Sequence, residues 1–237
     1  MSSEMPAWTN DFARDGVMVI KEALAAETVK SLSAAVAEVV EARQTKTGVT
    51  YAIRNLLAGS PAISEFARGA ALRPWITPVL GGAAFPVRAI LFDKPARANW
   101  KVAWHQDLTI SVKDKRQAEG FAPWTIKAGI VSVQPPAEIL AAMLAVRVHL
   151  DACDEENGPL RVIPGSHQSG KLPEPRIMDM ISVMPQRICT VPAGGLILMR
   201  PLLLHASSPS SNAAHRRVIH IEFASRSLPA GLEWNPA

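Results

Sequence analysis

Cysteine is scarce, and the two that occur, Cys153 and Cys189, lie far apart with neither metal-type nor redox-type spacing. That argues against a disulfide framework, leaves two incidental or buried thiols, and fits a reducing compartment, so a cytoplasmic location is expected. Charge is sparse too: 19% of the residues are charged, the formal net charge is +4, and lysine and arginine are scattered. The one basic cluster, residues 113–116, is short and broken by Asp114. It reads as a solvated loop, and no nucleic-acid partner is expected. Long apolar runs are also missing. Residues 139–146 stop at Arg147, well short of the roughly 20 residues of a membrane span, so no membrane partner is expected. The opening Met1-Ser2-Ser3-Glu4 has no basic region leading into an apolar stretch. The C-terminus has no targeting tripeptide, and no internal repeat or low-complexity tract is visible.

What is present is core material. Hydrophobic residues make up 48% of 237, enough for one domain of a size at which all-β barrels stand alone. The first third is mixed. Residues 12–20 give a short apolar strand after the turn at Asp15-Gly16. Val29, Leu32, Val36, Val39 and Val40 recur at helical spacing over 27–43, with Gly48 beyond the end. A second helix is expected from Pro61 to about Arg73, where Pro74 blocks continuation. From about residue 87 the pattern changes to short β-rich runs: 87–92, 102–110, 143–150, 160–163, 187–191, 196–199 and 218–223. Gly, Pro, Asn and Asp separate them, which argues for a sandwich or barrel over repeated βαβ units. Asn157-Gly158 predicts a hairpin turn and Gly194-Gly195 another tight turn.

The chemistry-bearing residues are His105, Asp107, His205 and Arg216. His105 and Asp107 are two apart on a predicted strand, so both side chains leave one face. With a distal histidine they form a set that leaves three positions of a metal open, as in non-haem Fe(II) oxygenases. An arginine shortly after the last ligand supplies a forked cation for the far carboxylate of a 2-oxo acid. His149-Leu150-Asp151 competes as a second H-x-D pair, but Asp151 precedes an acidic turn that it is placed to cap. His205 also reads as a core histidine in a leucine-rich segment. Only one of Arg216 and Arg217 can face inward from a strand. His167 reads as a structural residue capping backbone groups, and His215 and His220 as surface or supporting residues. Two other classes fit a bare triad: a catalytically silent binding protein, and a cupin-like barrel or hydrolase using Zn, Mn or Ni. Arg216 discriminates, because a hydrolase has no need of a cation aimed at a 2-oxo acid.

The run Asn157-Gly158-Pro159-Leu160-Arg161-Val162-Ile163-Pro164-Gly165-Ser166-His167 resembles the N-G-x-L-x-x-x-P-G-S-H segment of the phytanoyl-CoA dioxygenase family. Phe12-x-x-Asp15-Gly16, Phe92-Asp93-Lys94-Pro95, Trp104-His105-Gln106-Asp107, residues 201–207 and Arg216 follow in that family's order. The resemblance implies a mainly β fold with flanking helices, a double-stranded β-helix (a jelly roll, cupin-like). It implies one domain over 1–237, with 1–86 as helical support and 87–226 as the jelly-roll core. It implies Fe(II), 2-oxoglutarate and O2 as cofactor and co-substrates, with His105, Asp107 and His205 on the metal. Arg216 would hold the co-substrate's C5 carboxylate, assisted by Lys94 and Ser207. The activity implied is hydroxylation of an unactivated C–H in a small molecule, with release of succinate and CO2. Arg147 stands where those enzymes tend to have tryptophan, which makes it a candidate substrate contact. Arg147, Arg161 and the 113–116 loop point to an anionic substrate; Met143, Leu144 and the tryptophans would instead suit an apolar pocket.

Overall fold

The computed structural model describes residues 5–47, 52–94, 101–127, 129–210 and 216–235, so Gly48, Pro95 and His215 lie outside the described residues. The chain opens with α1 (Trp8–Asp15), β1 (Val17–Ile20), α2 (Ala26–Thr47), β2 (Ala52–Arg54), α3 (Leu56–Gly59), α4 (Pro61–Arg68) and α5 (Arg73–Leu80). There follow β3 (Phe85–Lys94), β4 (Val102–His105), β5 (Ile110–Val112), β6 (Trp124–Lys127), β7 (Ile130–Val133), α6 (Ala137–Ala141), β8 (Leu144–His149) and β9 (Leu160–Val162). Last come α7 (Glu174–Val183), β10 (Arg187–Cys189), β11 (Leu196–Met199), β12 (His205–Ser207) and β13 (Arg216–Ala224).

Three antiparallel sheets result: six strands in the order β1-β11-β8-β13-β3-β2, four in the order β10-β9-β12-β4, and three in the order β5-β7-β6. The two larger sheets face each other as a double-stranded β-helix. Side-chain alternation decides what each face meets. Leu144, Val146, Val148, Ile219, Ile221 and Phe223 turn outward and pack against Leu32, Val36, Ile63 and Ile76 of the helices. Between the sheets, Ala145, Ile197 and Met199 meet Leu160, Val162 and Cys189 in a second apolar cluster. Toward β3, β13 and β4 that apolar filling gives way to charged side chains, and the site lies there. No helix among the described residues is long and apolar enough to cross a membrane.

Several expectations need correction. Residues 12–20 are not one strand: Trp8–Asp15 is helical, Gly16 closes it in the left-handed region at φ 72°, and the strand is Val17–Ile20. A side chain at Gly16 would also collide with His167, since a Cβ would come within 2.3 Å of its Nδ1. Pro74 does not end the second helix; it sits in the first turn of α5, where its missing N–H costs nothing. Residues 102–110 split into β4 and β5. Asn157-Gly158 does not join paired strands, because β8 and β9 belong to different sheets. The strands β2, β6, β7 and β12 were not expected, being short.

Candidate metal centre

His105 ends β4 and His205 begins β12, and the two residues are direct partners across that antiparallel pair. Their rings therefore lie 4.2 Å apart between centroids. Each ring is oriented by the carbonyl two residues earlier: His105 Nδ1 lies 2.8 Å from the Ala103 oxygen and His205 Nδ1 2.8 Å from the Leu203 oxygen. A carbonyl only accepts, so Nδ1 carries the proton and Nε2 of each ring is left with a lone pair. Both lone-pair atoms turn to Asp107, at 3.9 Å from Oδ1 for His105 and 3.8 Å from Oδ2 for His205. The donor atoms of all three residues lie within 4.8 Å of one another.

Asp107 is not on the strand with His105 but in the loop just after it, and two anchors fix that loop. Its own N–H donates to the Pro201 carbonyl at 2.9 Å. The buried Gln106 donates to Gly170 O at 2.8 Å and Leu202 O at 2.6 Å, and accepts from Leu172 N at 2.8 Å. The middle residue of the H-x-D run is thus a clamp. Burial pushes the Asp107 carboxyl up, but the surrounding His205, His220, His105 and Arg88 outweigh it and hold the group down at about 2. Burial pushes His205 down to about 4 despite Asp107. At neutral pH the centre therefore presents an ionised carboxylate beside a neutral His205 imidazole, the forms that bind metal.

The inner pocket behind these residues is lined by Arg147 and Arg216, both buried, together with Ser207 and Leu160. Arg216 donates through Nη1 to the Gly158 carbonyl, and Arg147 Nη1 lies 3.4 Å from His220 Nδ1. Neither partner is a carboxylate, and the Nε of each guanidinium has no hydrogen-bond partner. Burial, and then the charge of Arg216, bring Arg147 down to about 10. Two buried cations that share a pocket without a carboxylate partner call for an anion there. Arg217 turns the other way and is held by Asp151 at 2.6 and 2.9 Å, so Asp151 belongs to an ion pair rather than to a metal set or a turn cap. Lys94 pairs in register with Arg216; only its backbone is described.

His220 was expected at the surface or in support; it is buried, with Nε2 4.0 Å from Asp107 Oδ2 and 3.3 Å from Glu222 Oε1. Arginine only donates, so Nδ1 of His220 accepts from Arg147 and its Nε2–H faces the acids. Glu222 is in turn ion-paired with Arg88. Period two from Arg216 puts His220 and Glu222 on the inward face of β13, a signal the sequence did contain. Arg161 stacks over Trp104 at 5.4 Å and Lys113 pairs with Glu233 at 3.2 Å, so neither joins the pocket. Met143 and Leu144 are core residues.

His149 is buried with neither ring nitrogen partnered. Burial first, then Arg147 and Arg216, hold it well below the usual histidine range. The unfolded chain takes up a proton at this side chain below about pH 6.5, whereas the folded chain does not. The neutral form therefore adds stability that is intact above that pH and is lost as pH falls, by up to about 1.4 kcal/mol per pH unit. His205 acts in the same sense down to about 4. Denaturant midpoints of the metal-free protein between pH 6.5 and 4.5 are expected to fall less steeply in His149→Leu than in wild type. Equal slopes would contradict this.

The sequence model of the family described as phytanoyl-CoA dioxygenase (PhyH) matches residues 12–218. No curated protein matches the chain. Among solved structures, AviO1 from Streptomyces viridochromogenes Tue57 is similar at 22% identity, covering 100% of both chains with a TM-score of 0.67. EctD from S. alaskensis, solved with 2-oxoglutarate and 5-hydroxyectoine, is 22% identical over 94% of this chain and 77% of its own, TM-score 0.72. HygX from Streptomyces hygroscopicus, solved with nickel and 2-oxoglutarate, is 16% identical over 96% and 92%, TM-score 0.66.

Proposed function

Because the chain belongs to the phytanoyl-CoA dioxygenase family, we propose that it is an Fe(II)- and 2-oxoglutarate-dependent oxygenase that hydroxylates a small molecule. One observation carries the reading: two imidazole Nε2 atoms and a carboxylate converge beside a pocket holding two buried guanidinium groups whose hydrogen-bond partners are not carboxylates. The donor set suits iron, with His105, Asp107 and His205 as its ligands. The paired cations suit a dicarboxylate, and relatives solved with 2-oxoglutarate support that choice. Arg216 would take the C5 carboxylate through its fork, with Lys94 and Ser207 assisting. Arg147 lines this inner pocket rather than the outer cleft, so it is assigned to the co-substrate instead of the substrate.

When bound, iron with 2-oxoglutarate and O2 supplies oxidative decarboxylation to succinate and CO2 and the oxidising power to attack a C–H bond. The chain's own residues do the rest. The backbone-held tautomers of His105 and His205 keep Nε2 directed inward, and the Gln106 clamp keeps Asp107 in place. His220, between Arg147 and Glu222, fills the space beside Asp107 with a polar group that needs no water. A carboxylate at position 107 favours hydroxylation over halogenation, since the related halogenases lack it and use that place for chloride.

Iron-loaded protein in air is expected to convert 2-oxoglutarate to succinate and CO2 in equal amounts, faster when a substrate is present, and to stop when the iron is chelated. Screening acyl-CoAs, amino acids and small natural products for stimulated succinate release identifies the substrate. Iron-loaded protein that leaves 2-oxoglutarate intact throughout would overturn the reading.

A further inference from the structure

A second cavity of about 450 Å³ opens outside the inner pocket and shares His105, Asp107, Arg88 and Phe92 with it. His105 is the exposed member of the centre, with 41% of its side chain accessible against 5% for His205, so the centre opens in this direction. One wall of the cavity is the small β5-β7-β6 sheet. Ser111 pairs with Ser132, and Ser132 with Thr125, so three hydroxyl side chains stand side by side on one face. Period two adds Lys127 to that face of β6. All four line the cavity. The other face carries Ile110, Val112, Val131 and Val133 into an apolar cluster. The register thus gives the sheet a hydrophobic back and a hydroxyl-bearing front.

Charge is as one-sided as polarity. The facing wall contributes Arg54 from β2 and Arg88 from β3, and Asp107 is the one carboxylate among the described lining residues. Arg88 is neutralised by Glu222. Lys127, exposed on the sheet wall, therefore sets a positive potential at the mouth, which concentrates anions. An alkyl chain would leave the hydroxyl row unpaired, and a cavity toward the lower end of the ~300–1,000 Å³ usual for small-molecule sites has little room for a large acyl carrier.

We propose that this cleft takes a compact, hydroxyl-bearing molecule with one anionic group, a carboxylate or a phosphate, as the substrate presented to the centre. The hydroxyls of Ser111, Ser132 and Thr125 exchange hydrogen bonds with it, and Lys127 meets its charge. As a substrate assignment this rests on the iron and 2-oxoglutarate reading; as a binding property it is tested separately.

Four probes separate the terms by ligand-observed NMR on protein saturated with 2-oxoglutarate, so that Arg147 and Arg216 are occupied. Glucose has hydroxyls without charge, gluconate adds a carboxylate, glucose 6-phosphate adds a phosphate, and octanoate has charge without hydroxyls. Gluconate or glucose 6-phosphate is expected to bind at least about 10-fold more tightly than both glucose and octanoate, and the better of the two names the anion. Lys127→Gln, at an exposed position, should reduce that preference while 2-oxoglutarate still binds. Equal binding of all four probes, tighter binding of octanoate, or unchanged selectivity in Lys127→Gln would overturn the proposal. Failure of wild-type protein to bind 2-oxoglutarate in the same titrations would count against the inner pocket instead, and the preference is then scored on the protein alone.

Discussion

Asp107→Ala is expected to lose stoichiometric Fe(II) binding and at least about 100-fold in succinate formation, while unfolding at nearly the wild-type denaturant midpoint. The effect on metal exceeds the 10- to 100-fold typical of groups that only orient ligands, because a charged donor is removed outright. Stability is spared because the fold rests on the apolar clusters on either side of the six-stranded sheet, none of which includes Asp107. His105→Ala should behave alike. The rival pair is the control. His149→Ala and Asp151→Ala should both keep iron, the second losing a partly exposed ion pair with Arg217, on the order of 1 kcal/mol, and the hydrogen bond from the Arg217 N–H. Iron retained in Asp107→Ala with full activity would remove the centre from these residues.

Arg216→Ala is expected to weaken 2-oxoglutarate binding by about 2–5 kcal/mol, roughly 30- to 5,000-fold, as a buried forked contact is lost and a carboxylate is left unpaired. Arg217→Ala should change the affinity less than about twofold, since its guanidinium is engaged by Asp151 away from the pocket. The two residues are neighbours with the same side chain, so the comparison isolates strand phase. Isothermal titration of the iron-loaded proteins reads it directly. A reversed order would mean that β13 presents its other face to the co-substrate.

Much of the architecture was legible as short β-rich runs between turn residues. The runs around residues 144–149, 196–199 and 216–224 are the middle strands of the six-stranded sheet. The small sheet was not legible. Its strands have three or four residues each, too few for a period to show. Helix α1 was hidden because Phe12 sits close to the apolar run of β1, and only Gly16 marks the break. In the centre, choosing between the two H-x-D pairs drew on the acidic turn after Asp151 and on the residues that surround and follow His105 and Asp107. Geometry gives an independent reason: Asp151 already has its arginine, whereas Asp107 has two imidazoles turned toward it. His220 and Glu222 followed from the phase of Arg216 and were not drawn from it. The Gln106 clamp depends on Gly170, Leu172 and Leu202, far off in sequence, and no local pattern announces such contacts.

Anaerobic titration of the Fe(II)-loaded protein with 2-oxoglutarate, followed by visible absorption, tests the centre and the inner pocket together. A weak charge-transfer band is predicted to grow in, saturate near about one equivalent, and need far more 2-oxoglutarate in Arg216→Ala than in Arg217→Ala. Iron bound to His105, Asp107 and His205 with no band at any 2-oxoglutarate concentration would contradict it.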